Sequence, residues 1–346
     1  MWSVHDIRER VRALGARPKH EARILRLWAQ ALPQDSGRRA LSSFMPATLR
    51  DALPQLGQEL AALATLREQH PAEDGSARLL VGLRDGQTVE SVLLPRDGLC
   101  VSSQVGCAVG CVFCMTGREG LVRQVGSAEI VAQVVLARTL RPVKKVVFMG
   151  MGEPSHNLDQ VMEAIELLGT VGNIGHKNLV FSTVGDERVF ERLPQGPVKP
   201  ALALSLHSTR ADLRAQLLPR APRWDPQDLV AAGERYARAT GYPIQYQWTL
   251  IEGVNDSEEE IEGIVRLLHG KYALMNMIPY NTVPDLPYVR PSWERAAAIA
   301  RSLHQRGVLT KLRQSAGQDV DGGCGQLRAR DVVQRVKWVR SSPPAG

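Results

Sequence analysis

The chain predicts an α/β fold built on a parallel sheet. From residue 98 onward, strand-like and helix-like patterns alternate, and the strand candidates are apolar, as strands covered on both faces by crossover helices must be. The length of 346 residues suits one large domain with an accessory piece.

Taken in order, residues 3 to about 70 read as helices. Val4, Ile7, Val11 and Leu14 follow the helical period, as do Ile24, Leu25 and Trp28, and Pro33, Pro46 and Pro54 punctuate the segments. Arg8, Arg10, Arg12, Arg17, Lys19, Arg23 and Arg26 decorate them, and Trp28 reads as a core residue rather than a base-stacking platform. After the polar stretch HPAEDGS, the runs ARLLVGL and TVESVLLP flank a DGQ turn and predict a β-hairpin that carries Glu90. Strands follow at Leu99–Ser103, Val143–Met149, Asn178–Thr183, Ala201–His207, Ile244–Ile251 and Leu274–Tyr280, with an extra one at Val308–Gln314. Helices fit between them at Ser127–Thr139, Leu158–Leu168, Asp225–Ala239, Glu258–Leu268 and Trp293–Gln305. The expected division is a helical accessory domain over 1–75, a hairpin linker over 76–97, a core over 98–330 and a tail over 331–346.

Composition narrows the class. Hydrophobic residues make up 44% of the chain, enough for a core, yet no apolar run of about 18 residues marks a membrane span. The charged start WSVHDIRERVRALG is unlike a signal peptide, and five cysteines, odd in number and clustered, suit a reducing compartment; a cytoplasmic protein is expected. The net charge of +7 is uneven. Residues 1–50 hold ten Lys/Arg against four Asp/Glu, and residues 290–346 hold eleven against four, so both ends are basic. Such ends suit a polyanion, or simply a well-solvated surface.

Four of the five cysteines lie in CVSSQVGCAVGCVFC, Cys100 to Cys114; Cys324 stands alone. The spacing of Cys107, Cys111 and Cys114 lets one loop deliver three thiolates to one centre. A structural zinc ion or a closed cubane takes four, so three leave one iron of a four-iron cluster open, while zinc with Cys100 as fourth ligand is the competing reading. Functional residues in such folds belong at the carboxyl ends of strands, where Gly150–Met151–Gly152–Glu153–Pro154, Ser182, Ser205–Leu206–His207 and Asn281 all fall.

The C-x3-C-x2-C loop resembles the signature of radical S-adenosylmethionine (SAM) enzymes. Together with CVSSQVGC, MGMGEP, SLHS, EGVND and CGQL, in that order over residues 79 to 327, it is similar to the RlmN/Cfr family of RNA adenosine methyltransferases. That resemblance implies an open (βα)6 partial barrel with a small helical N-terminal domain implicated in holding RNA. It implies one [4Fe-4S] cluster on Cys107, Cys111 and Cys114, two SAM molecules per methylation, and SAM contacts from Gly152, Glu153, Ser182, Ser205, Leu206, His207 and Asn281. In the family's scheme Cys324 carries the methyl group as S-methylcysteine, Cys100 acts as base and transient disulfide partner, and Glu90 is a proton acceptor. The implied substrate is adenosine C2 or C8 in large-subunit ribosomal RNA, with transfer RNA as the alternative. A one-electron reductant such as flavodoxin and a monomeric enzyme complete the expectation. A zinc-stabilised RNA-binding module without catalysis is the reading from another class. Several stretches depart from the family pattern, notably Leu218–Trp224 (LPRAPRW), which lacks the usual asparagine.

Overall fold

A computed structural model describes residues 1–118, 120–283 and 286–314. Three helices open the chain: α1 (Val4–Ala13), α2 (Pro18–Ala29) and α3 (Ala47–Ala61). Their apolar stripes, including Val4, Ile7, Val11, Ile24, Leu25 and Trp28, are buried in the same core that holds the main sheet. Trp28 is thus a core residue. Two findings differ from the expected helical stretch. Pro54 lies inside α3 rather than between helices. Residues 64–71, read as the end of the helical region, form a strand, β1 (Ala64–Pro71), whose side chains are mostly exposed. Its polar composition carries no period; antiparallel pairing with the next strand decides its conformation.

That strand, β2 (Ala77–Leu83), pairs antiparallel with β3 (Thr88–Leu94), which pairs antiparallel with β4 (Gly98–Cys100). The expected hairpin is therefore the inner two strands of a three-stranded extension fused to the main sheet. A separate two-stranded ribbon, β5 (Gln104–Gly106) with β6 (Leu121–Gln124), brackets the cysteine loop. After α4 (Ser127–Leu140), the alternation predicted from sequence follows: β7 (Lys145–Phe148), α5 (Leu158–Thr170), β8 (Leu179–Thr183), the short α6 (Glu187–Arg192), β9 (Ala201–Ser205), the short α7 (Ala211–Leu217), α8 (Pro226–Thr240), β10 (Ile244–Leu250), α9 (Glu258–Leu268), β11 (Ala273–Pro279), α10 (Trp293–Gln305) and β12 (Thr310–Leu312). The sheet order is β1-β2-β3-β4-β7-β8-β9-β10-β11-β12, and every pairing from β4 to β12 is parallel.

Helix boundaries follow local chemistry. Asp225 caps α8 by accepting from the Gln227 N–H at 2.8 Å, Pro226 opens it, and Gly241 at φ 75° ends it. Ser257 caps α9, whose first turn holds Glu258, Glu259 and Glu260 at the positive end of the helix dipole.

Register separates the two faces of the parallel sheet. Leu99, Val146, Phe148, Phe181, Leu202, Leu204, Tyr246, Trp248, Met275 and Met277 face the helices in the main core. Each such side chain, fully buried, contributes about 1.5–3 kcal/mol. The opposite face carries Val92, Cys100, Val147, Val180, Ala201 and Ala203, a second and smaller cluster. Ala201 and Ala203 are the smallest side chains of that cluster. Along β10 this face is half-exposed, through Gln245, Gln247 and Thr249, while the alternate residues are buried. No helix among the described residues is long and apolar enough to cross a membrane.

Candidate functional site

Cross-strand pairing assembles the inner face residue by residue. Cys100 sits opposite Val92 on β3 and Val147 on β7; Val147 is opposite Val180, two residues before Ser182; Ser182 is opposite Ala203, two residues before Ser205; Ser205 is opposite Gln247. Residues two apart on a strand share a face, so Glu90, Cys100, Ser182 and Ser205 all point to the same side. Glu90 is not a solvent-facing strand residue. It is 1% exposed and ion-paired with the buried Arg78 at 3.3 Å, the two being diagonal neighbours on β2 and β3. The apolar cluster that holds Cys100 consists of Val92, Val147, Val180, Ala201 and Ala203.

The cysteine loop lies beyond the end of β4. Its root is stitched to the turn after β7 by side chains of the CVSSQVGC motif and of neighbouring elements. Ser102 Oγ donates to the Glu90 carbonyl at 2.5 Å and accepts from the Met151 N–H at 2.8 Å. Gln104 Oε1 accepts from the Glu153 N–H at 2.7 Å, and Asn157 Nδ2 donates to the carbonyls of Ser103 and Val125. Gln133 on α4 fastens the same root, accepting from the Ser102 N–H at 2.9 Å and donating to its carbonyl at 3.0 Å. Gly152, at φ 109°, has no alternative here, since a Cβ would stand 2.7 Å from Gln104 and 2.8 Å from Ser103 Oγ.

Glu153 is buried below this turn, accepting from the Ser155 and Val184 N–H groups, each at 3.1 Å. Burial raises its carboxyl, against hydrogen bonds from Thr183 and Ser155 that pull it down. Cys107 and Cys111 pack with Val109, Leu213, Leu217 and Leu218, a cluster distinct from the one holding Cys100. Burial pushes the Cys107 thiol up to about 12. It pushes Cys111 well up too, with Cys114, Cys107 and Glu153 adding to the rise. The three cysteines thus feel one another as a set.

At the end of β9, Ser205 is half-buried, whereas the Leu206 side chain is wholly in the core, so only its backbone can serve the rim. His207 has φ 60° and is buried; its Nδ1 accepts from the Thr249 N–H at 3.0 Å and its ring meets Phe113 edge-on at 5.0 Å, tying the cysteine loop to β9. Asn255, in the EGVND motif, donates to the His207 and Thr249 carbonyls at 2.8 Å each, and Glu260 accepts from Ser208 Oγ and from the Thr209 N–H. Asn281 follows β11 at the same rim and accepts from Arg290 at 3.3 Å. Cys324 lies outside the described residues.

Residues 101–268 match the Radical SAM superfamily. A protein named probable RNA methyltransferase from Leptothrix cholodnii is 76% identical over 339 residues, covering 98% of each chain. Another with that name, from Azoarcus sp., is 73% identical over 343 residues, covering 99% of each. A solved radical SAM methyltransferase from Sphaerobacter thermophilus superposes with a TM-score of 0.80 at 36% identity, covering 94% of this chain and 97% of its own. This chain belongs to the RlmN/Cfr family of radical SAM methyltransferases.

Family membership implies a [4Fe-4S] cluster and SAM, and the residues of this RlmN/Cfr-family chain fit both. A zinc ion would hold its thiolates about 2.3 Å from one point, whereas a cubane takes each on a separate iron. Cys100, the candidate fourth zinc ligand, packs in the other cluster. For SAM, Glu153 supplies a buried carboxylate beside the loop, and Ser182 and Ser205 supply hydroxyl groups along the inner face.

Burial depresses His207 to about 3, so it is neutral at physiological pH and serves as an acceptor, not as a proton donor. The unfolded chain takes up this proton near pH 6.5 and the folded chain only near 3, so His207 lowers stability as pH falls through that window, by up to roughly 1.4 kcal/mol per pH unit. His207→Gln is expected to flatten the acid limb between pH 6.5 and 3 in urea titrations. An unchanged acid limb would contradict this assignment.

Proposed function

We propose that this family member methylates a ring carbon, C2 or C8, of an adenosine in large-subunit (23S) ribosomal RNA, with Cys324 as the methyl carrier. The observation that supports it most is the single inner face shared by Glu90, Cys100, Ser182 and Ser205 beside the three-cysteine loop. An adenine ring carbon is electron-poor and cannot attack the methyl group of SAM as a nitrogen would. When bound, the cluster and SAM supply the one-electron chemistry that such a carbon requires.

The chain's own residues take the remaining tasks. Cys107, Cys111 and Cys114 hold the cluster. Gly152 and Glu153 meet the ammonium group of SAM, a carboxylate in a dry site being a strong acceptor for it. Ser182, Ser205, the Leu206 backbone, His207 and Asn281 hold the ribose and adenine. Two SAM molecules serve each methylation, one for the methyl group on Cys324 and one for its activation. Cys100 removes the ring proton and closes a disulfide with Cys324 that frees the RNA, with Glu90 as proton acceptor. The basic first fifty residues grip RNA phosphates, the protein works as a cytoplasmic monomer, and a small carrier such as flavodoxin supplies the electron.

Mass spectrometry of RNA from a strain lacking the protein tests this reading. One methyl group should vanish from a ribosomal adenosine. A methyl lost from transfer RNA would move the substrate there, and no lost methyl in any RNA would sink the reading. In the purified enzyme, Cys324→Ala is expected to keep about four irons and SAM binding but to lose methyl transfer by at least about a thousandfold. Methylation retained in that variant would remove the cysteine from the reaction.

A further inference from the structure

Arg214, on α7, is 2% exposed. Its Nη2 donates to the Val184 carbonyl at 2.5 Å and the Ser205 carbonyl at 3.2 Å, and Nη1 donates to the Pro222 carbonyl at 3.4 Å. These carbonyls belong to the chain leaving β8, the end of β9 and the loop after α7. Nε has no hydrogen-bond partner, and among the described residues no carboxylate lies within ion-pair distance. A guanidinium is almost never fully buried without an anion, because carbonyl dipoles solvate its charge but do not cancel it.

Val184 links Arg214 to Glu153: its carbonyl accepts from Arg214, and its N–H donates to Glu153 Oε2 at 3.1 Å. Although burial lowers Arg214 to about 10, it stays a cation at neutral pH. The backbone confirms the placement: the Val112 N–H donates to the Leu217 carbonyl at 3.1 Å, fastening the end of α7 to the cysteine loop two residues from Cys114. Leu213 and Leu217 pack in the same cluster as Cys107, with Cys111 against it.

We propose that Arg214 is the built-in countercharge of the cysteine loop, a positioning residue that holds a fixed positive charge beside Cys111 and Glu153 and makes a cluster bound there easier to reduce. Reduction adds an electron to an assembly already carrying thiolates. A cation in low dielectric stabilises that product more than the oxidised form. Arg214 thus sets how readily the protein accepts the electron that starts each cycle. The inference rests on the cluster reading above, and the two can fail separately.

The test is an anaerobic redox titration followed by electron paramagnetic resonance, on wild type, Arg214→Gln and Arg214→Lys, each checked for iron content. Arg214→Gln is expected to reduce less readily by about tenfold in the equilibrium constant, a potential about 59 mV more negative for one electron. Arg214→Lys keeps the charge but not the three carbonyl bonds, and its potential should stay near wild type. If Arg214→Gln does not fold, Arg214→Met, neutral and of similar length, takes its place: a fall of the size expected for the neutral variant supports the countercharge, and a native potential overturns it. A native potential in Arg214→Gln, with or without weakened SAM binding, also overturns it. Wild-type protein that takes up no iron would sink the cluster reading itself.

Discussion

Cys100→Ala is expected to arrest the reaction after RNA has become attached to the protein, leaving a covalent adduct in place of free methylated product. The substitution should be mild for the fold. Cys100 packs at the end of β4 against Val92, Val147, Val180 and the small residues Ala201 and Ala203, so losing one sulfur costs about 1 kcal/mol. Its backbone pairings to β3 and β7 do not involve the side chain. Cluster content and SAM cleavage should therefore persist while turnover falls by at least about a thousandfold. Gel shift of radiolabelled RNA under denaturing, non-reducing conditions reads the adduct. Free product at the wild-type rate would remove Cys100 from proton abstraction and release. The outcome is informative because Cys100 shares its face of the sheet with Glu90, the proton acceptor of the proposed route.

How much of this was legible beforehand follows from the kind of signal each element carries. The strands of the parallel sheet are apolar on alternate or all positions, and α9 and α10 fall where their caps and periodicity place them, at Glu258–Leu268 and Trp293–Gln305. The ribbon of β5 and β6 was not legible, because three- and four-residue strands have no period and exist by pairing with each other. Helices α6 and α7 are likewise too short to signal themselves. Among site residues, Glu153 and Ser182 could be placed at strand ends from the pattern alone. The burial of Glu90 could not, since Arg78 is its partner only through the register of two strands. Arg214 gives no local sign at all: in sequence it is one arginine on a short helix, and only the convergence of three carbonyls on its buried guanidinium distinguishes it.

Glu153→Gln is expected to weaken SAM binding by about 10- to 100-fold while leaving the iron content intact. The carboxylate accepts from two backbone N–H groups, one on each oxygen, at Ser155 and Val184. An amide of the same shape has only one oxygen, so its NH2 group must face an N–H donor in a buried site. Either Ser155 or Val184 then loses its partner, a cost of about 1–3 kcal/mol. The lost negative charge also removes the acceptor for an ammonium group, an interaction worth about 1.5–3 kcal/mol, which is the source of the expected affinity change. Arg214, linked to Glu153 through Val184, loses that negative charge as well. Calorimetric titration of SAM into the cluster-loaded protein measures the first effect. Unchanged SAM affinity would mean that Glu153 only braces the turn after β7, and that the ammonium group is held elsewhere.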